Sequence, residues 1–531
     1  MVDQAAPAVD RPARGDTLAR TAVEKAPVYA YYALFLLVVA NFFNYVDRQI
    51  VAILAHSIQK DLGLDDAKLG FILGTAFAVL YGVVGVAMGR ISDALSRTRL
   101  MAAGLALWSG MTALSGLAGN FAALAVARVG VGVGEAAANP CSHSLLSDYF
   151  PARNRSAVLG SYLVGTHLGG AAALVFGGML LQHWSTLCGY FPGNACGLAG
   201  WRAAFFIVGV PGLVLAVLIA RLREPPRPGV AAGVRPLQVV LRELSAAVPP
   251  FTLYNLFQIG GWPATAKNLV LAAGLVVGAA GLGYLTGDWA QWIAVAIGIY
   301  SVTTWGGVLR RRDRPLFDLT FGCRTFIFTV VGAAMAGCLF ATVSLWSATF
   351  MMRNLAASPG EAGLYLGIIT AVAASTSAIL GGYITDKWKR FDARAPLWVC
   401  LFALVVPAPA FLVMMRAEDL PTFVTAYAVF VVLSMPWSGG IGALVQDLVL
   451  PRMRGTASAA FSLIVILLSS GVGPYWAGKI STLTGSLTTG LYSLLVLIPA
   501  GAVFLLLAAA RVRKETPEAR RARATAAGEP A

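Results

Sequence analysis

The sequence predicts an all-α integral membrane protein: two six-helix bundles related by a pseudo-two-fold axis, with an inserted two-helix hairpin between them. Three observations carry this. Of 531 residues, 58% are hydrophobic and 12% charged, against roughly 45–50% and 25% in a soluble domain. Fourteen apolar runs of spanning length follow one another along the chain. Short polar motifs also recur at offsets of 293 and 299 residues.

A membrane crossing needs ~20 mostly apolar residues, because hydrocarbon tolerates only a backbone whose hydrogen bonds are made internally. Such runs lie near 29–55, 69–89, 100–118, 121–143, 156–180 and 203–220 in a first bundle spanning residues 28–224. A second set lies near 322–350, 362–384, 396–415, 421–445, 455–476 and 488–510, within residues 316–512. Residues 225–315 form a linker that holds the extra pair, about 268–309. The pair turns at Thr286-Gly287-Asp288 and carries no ionisable residue inside its two runs, which argues for packing or lipid contact. Residues 1–27 contain no apolar stretch of the kind a cleaved leader has, and read as a disordered tail, like residues 513–531.

The net charge of +15 forms no continuous face for nucleic acid. Lys and Arg collect in alternate loops, around Arg97, Arg153, Arg221, Arg310, Lys389, Arg452 and Arg511, and leave the loops near Gly119, Cys188, Gly287 and Glu418 poor in positive charge. By the positive-inside rule both termini are cytoplasmic. Cys141, Cys323, Cys338 and Cys400 fall in or beside apolar runs and read as packing residues. Cys188 and Cys196 share one outward loop, where an oxidising exterior favours a disulfide.

The repeat supports two halves. Gly89-Arg-Ile-Ser-Asp93 matches Gly382-Tyr-Ile-Thr-Asp386, and the stretch from Asp148 to Arg155 matches that from Asp447 to Arg454. Gly89, Asp93 and Arg97, with Asp386, Lys389 and Arg390, read as a cytoplasmic gate that favours the outward-open state. Plain positive-inside anchoring explains the arginines but not an aspartate present in both halves.

An ionised group inside the bilayer is costly and normally faces a cavity with a partner. In the fourth span Arg128, Gly132, Glu135 and Asn139 share one helical face at about 100° per residue. In the first, Asn41, Asn44 and Asp47 form a similar stripe. Counting from the outer helix ends sets Asp47 and Arg128 at one level, where an ion pair is allowed, with Glu135 roughly two turns deeper. Asp47 and Glu135 are then the expected proton carriers: nearby Arg128 favours the ionised carboxylate and desolvation the protonated one. A permanent buried salt bridge is the competing reading. Arg48, about 100° further round its helix, faces a neighbouring span. Asn44, Tyr45, Asn139, His167, Trp346 and Trp437 are candidate substrate contacts, although membrane aromatics and lone histidines also serve plain packing.

These motifs resemble the major facilitator superfamily. Gly89-Arg-Ile-Ser-Asp93-Ala-Leu-Ser-Arg97-Thr-Arg99 is similar to its loop signature, with Ser96 where glycine and Thr98 where a basic residue is usual, and Leu124 through Arg128 to Gly132 is similar to its fourth-span signature. Within it the chain resembles the spinster-like group, through Asn44-Tyr-Val-Asp-Arg48, Arg128 to Ala136, Gly200-Trp-Arg202, Gln446-Asp447 and Pro451 to Arg454. The resemblance implies an alternating-access transporter that uses the acidic and arginine positions just named, driven by a proton gradient without cofactor or metal. The expected cargo is an amphiphilic, lipid-like or hydrophobic organic anion; import of a small carboxylate such as a sugar or aromatic acid is the rival. The expected setting is a bacterial inner membrane, as a monomer among membrane lipids. An enzyme would need a cluster such as His143 with Asp148, which is too sparse, and no nucleotide-binding motif is present.

Overall fold

The computed structural model describes residues 28–151, 154–190, 195–225, 236–249 and 251–529, and every regular element among them is a helix. The expected N-terminal tail lies outside the described residues. The first half comprises α1 (Val28–Leu62), α2 (Asp66–Ala94), α3 (Arg97–Ser115), α4 (Phe121–Tyr149), α5 (Arg155–Leu187) and α6 (Gly200–Ala220). The linker holds α7 (Pro236–Ala247), α8 (Phe251–Thr286), α9 (Trp289–Arg312) and the short α10 (Arg314–Leu319). The second half comprises α11 (Arg324–Asn354), α12 (Pro359–Lys389), α13 (Ala395–Met415), α14 (Leu420–Asp447), α15 (Pro451–Thr484) and α16 (Leu487–Val512), followed by α17 (Pro517–Ala526).

Among the described residues 13 helices are long and apolar enough to cross a membrane. The count is thirteen and not the fourteen expected, because Arg97 and Arg99 in the first turn of the 19-residue α3 dilute its hydropathy. Helices begin where side chains satisfy their free N–H groups. Asp65 accepts from Lys68, Asn120 from Ala123 and Asp419 from Thr422, and Ser358 with Glu361 forms a reciprocal capping box.

Two expectations need correction. The hairpin begins at Phe251 rather than near 268: α8 bends at Gly261, whose φ of 61° suits only glycine, just before Pro263, and then continues through Lys267. An ionisable residue therefore does lie within the pair, exposed on the flank of α8. The C-terminal segment is no disordered tail either. Thr516 caps α17, Pro517 and Glu518 occupy its first turn and Arg523 its last, so its polar composition hid a complete set of helix signals. It docks through buried Ala524 and through Glu529, which pairs with Arg452; Arg452 also binds Asp313 at 2.8 Å.

The internal repeat extends to the backbone. A π-helical turn interrupts α2 at Phe71–Thr75 and α12 at Thr370–Ala374, 299 residues apart, the same offset that separates Asp148 from Asp447. Such turns re-aim the helix beyond them.

The basic loops gather at one end of the bundle and the Cys188 loop at the other. At the disulfide end the halves meet backbone to backbone. A Cβ on Gly478 would stand 2.1 Å from the Asp66 carbonyl oxygen, and one on Gly363 would stand 2.2 Å from that of Leu174, so only glycine permits the contact. At the basic end they part. Nothing lies within 4 Å of a Cβ built on Gly89, Gly160 or Gly382, and α5 and α12, in contact at the disulfide end, expose Leu163, Leu168, Ile379 and Ile384. The molecule is closed at its disulfide end and open at its basic end.

Candidate functional site: a buried charge quartet in the first half

Helix α1 carries Asn41, Asn44, Asp47 and Arg48 into the first bundle, and α4 carries Arg128 and Glu135 to meet them. Asn41 anchors α1 to α5, donating to the Tyr162 carbonyl at 2.8 Å and to the Thr166 hydroxyl at 2.9 Å. Asn44, Asp47, Arg128 and Glu135 are all at most 2% exposed.

The pairing differs from the expectation. Glu135 Oε2 accepts from Arg48 Nε at 2.7 Å. Arg48 is sandwiched by the rings of Tyr45, Phe77 and Tyr81, at 5.1, 4.8 and 4.4 Å. Among the described residues no carboxylate comes within 4.0 Å of Arg128. Asp47 and Arg128 are electrostatic neighbours without forming an ion pair. The reason is length: α1 runs seven residues past its expected end, to Leu62, so levels counted from helix ends were displaced. Arg48 turns toward α4 in place of Asp47.

The quartet Asp47, Arg48, Arg128 and Glu135 is neutral in sum but incompletely bonded. Among the described residues Arg128 Nε and Nη1 have no hydrogen-bond partner, and Asp47 Oδ1 and Glu135 Oε1 have only the loosely placed neighbours Thr112 and Asn44. Buried polar atoms left so cost about 1–3 kcal/mol each.

The expected stripe on α4 is broken. Pro140 cannot donate to the carbonyl four residues back, and the helix loosens at Ala136–Ala137. Gly132 serves close packing, since a Cβ there would stand 2.5 Å from the Phe77 carbonyl oxygen. Asn139 accepts from the Tyr162 hydroxyl at 3.1 Å. Among the described residues His167 forms its one hydrogen bond with the Leu163 carbonyl of its own helix, at 3.2 Å. Trp346 is fully buried and donates to the Pro474 carbonyl at 3.1 Å, so it is a core residue and no cavity wall. Trp437 is half-buried against Gly337, with its indole N–H unpartnered, and Tyr45 is half-buried beneath Arg48.

The expected gate is built inside each half. Arg97, wholly buried, binds Asp148 of α4 and Glu224 beyond α6, the latter at 2.8 Å. Lys389 and Asp447 repeat this pair in the second half, whereas Asp93, Asp386 and Arg390 are exposed. Glu224 also accepts from the Thr98 N–H and from the Ser96 and Thr98 hydroxyls, each at 3.0 Å, which caps α3 from outside. Burial alone would raise the Glu224 pKa, but these bonds outweigh it and hold the carboxyl at about 2. Because the folded value lies below the unfolded one, its stabilisation is complete above roughly pH 4.5 and fades toward pH 2. Glu224→Gln is expected to cost about 2 kcal/mol at pH 7. Melting curves of the two proteins at pH 7 and pH 3 check this: the gap should narrow at pH 3.

Cys188 and Cys196 are disulfide-bonded. At the same end Asp61 binds both Trp201, at 3.1 Å, and Arg202, at 3.0 Å, which gives the Gly200-Trp-Arg202 motif its structural role. Sequence reasoning missed a lock beside it. Asp66, 9% exposed, accepts from Arg353 of α11 at 2.7 and 3.0 Å, from Gln59 at 2.6 Å, and from Ser481 of α15. It fastens the first half to two helices of the second. The hairpin joins the same seam, through Asp288 to Lys479 at 2.6 Å and Gln291 to Thr75 at 2.7 Å.

A family model described as Major Facilitator Superfamily matches residues 37–474. The chain belongs to the major facilitator superfamily. It is similar to an MFS-type efflux pump of Mycolicibacterium smegmatis, 28% identical over 499 residues, which covers 93% of this chain and 95% of the relative. It is also similar to Protein spinster homolog 1 of Rattus norvegicus, 26% identical over 459 residues, 83% of this chain and 71% of the relative. Among solved structures it resembles a bacterial homolog of the human lysosomal transporter Spinster in an inward-facing, unoccupied conformation. There the TM-score is 0.68 and the identity 23%, across 93% of this chain and 100% of that one. This major facilitator protein is thus an integral membrane transporter of small molecules with the two-bundle fold and spinster-like resemblance expected from its motifs.

Proposed function

We propose that this chain is a proton-coupled secondary active transporter that moves an amphiphilic, lipid-like or hydrophobic organic anion by alternating access. In this reading the basic end and both termini face the cytoplasm of a bacterium, and the arrangement described above is inward-facing. The observation that carries it is the incompletely bonded quartet. Two carboxylates and two guanidinium groups in hydrocarbon must exchange partners, protons or ligand when the bundles rock. Ionised Glu135 satisfies Arg48 while the cavity is wet, and protonation of Glu135 frees Arg48 for an anion. The second half supports an apolar cargo, since acidic side chains in α11 to α16 stand only at helix ends. The efflux-pump relative supports outward movement.

A small carboxylate is the second reading, favoured by Arg128 Nε and Nη1, which are free to bind one bidentately. Purified protein in proteoliposomes with an imposed pH gradient separates the two. Gradient-driven movement of a lysophospholipid or sphingoid lipid, with no response to sugar or aromatic acids, supports the first; the reverse supports the second. Transport of neither class would overturn both.

Closure of the open end makes a further demand on Gly89 and Gly382. A leucine at either position fits this state, because no atom stands within 4 Å, yet it would obstruct the approach of the opposite half. Gly89→Leu is expected to change stability by less than about 0.5 kcal/mol while slowing transport more than about tenfold, measured by uptake into the same vesicles and by melting temperature.

A further inference from the structure

We propose that the basic end holds a binding site for the phosphate headgroup of an anionic membrane lipid, formed where the start of α11, the end of α16 and the C-terminal helix α17 converge. A cavity of about 550 Å³ opens there, lined by Cys323, Arg324, Arg511, Lys514, Glu515 and Arg523 among others. Four cations face one carboxylate. That carboxylate is already engaged: Glu515 accepts from the Thr325 hydroxyl at 3.0 Å and pairs with Arg523 at 3.1 Å. Arg511 lies over the Phe328 ring at 5.4 Å. Among the described residues Arg324 and Lys514 have no ion-pair partner, and both are exposed. The pocket therefore carries excess positive charge with two free donors, a fit for a phosphate ester.

Its position selects a lipid over a free anion. Arg324 is the first residue of α11 and Arg511 lies in the last turn of α16, so the pocket sits at the level where the apolar spans end. The flank of α16 leading into the span exposes Val503, Leu506 and Leu507, a track for acyl chains. Because α17 supplies Arg523, a bound headgroup ties the C-terminal helix to the second bundle.

The test uses the full chain in a neutral detergent, titrated with phosphatidylglycerol, phosphatidylcholine or inorganic phosphate and read by native mass spectrometry. Wild type should bind phosphatidylglycerol in preference to phosphatidylcholine. R324Q/K514Q should bind it roughly thirtyfold more weakly, at about fivefold per lost juxtamembrane charge, while R99Q/R221Q, which neutralises exposed arginines elsewhere on the same end, should bind as wild type does. Melting temperatures establish that each variant is folded. Equal binding of the two lipids, unchanged binding by R324Q/K514Q, or an equal loss in R99Q/R221Q would overturn the proposal. So would displacement of the lipid by millimolar inorganic phosphate, which would make this a site for free anions.

Discussion

Glu135→Gln is expected to abolish proton-driven transport, lowering the gradient-dependent rate at least about a hundredfold. The substitution removes the carboxylate that Arg48 holds at 2.7 Å and leaves a guanidinium charge in hydrocarbon, so stability falls as well, by about 3–5 kcal/mol. Loss of activity alone would not separate a proton carrier from a structural salt bridge. The pair Glu135→Gln with Arg48→Gln does, because it removes both charges and restores neutrality. Stability should recover in that double variant. If gradient-driven uptake recovers with it, the salt bridge is structural and the proton role fails. If uptake stays absent while counterflow of substrate down its own gradient persists, Glu135 carries the proton. Asp47→Asn is expected to impair gradient-driven uptake too, with a smaller loss of stability because Asp47 makes no ion pair to lose.

The second large effect is expected at the opposite end. Arg353→Gln deprives Asp66 of two bonds that tie α11 to α2 across the seam between the halves. Asp66 would keep only Gln59 and Ser481. A partly buried pair of this geometry contributes about 2–3 kcal/mol, which shifts the ratio of the two conformations by roughly 30- to 150-fold. The seam at the disulfide end would open and the basic end close. A cysteine pair introduced as Gln182→Cys and Gly360→Cys reads this directly, because these positions touch across α5 and α12 in the present state. Crosslinking should be efficient in the parent and fall sharply once Arg353→Gln is added. An unchanged yield would mean that backbone packing at Gly70, Gly363 and Gly478 holds the seam without help from charge.

The fold was legible because the bilayer makes the pattern so strict. Apolar runs of spanning length and basic loops at alternate turns are each local signals, readable within about twenty residues. The repeat from Gly89 to Asp386 was legible for the same reason. The helix signals of α17 were equally local, and only its polar composition disguised them. The seven residues that α1 adds beyond its expected end have no local marker, and they displaced the estimated depth of Asp47.

By itself, then, the sequence determined the class, the two-fold repeat, and which charges fall inside the apolar helices. Tertiary structure alone decided their partners. Glu135 chooses Arg48 over Arg128, and Asp66 finds Arg353 at a separation of 287 residues, because pairing depends on helix rotation, length and tilt to within an ångström or two. Periodicity fixes the face of a helix that a side chain occupies; it does not fix which neighbouring helix that face meets.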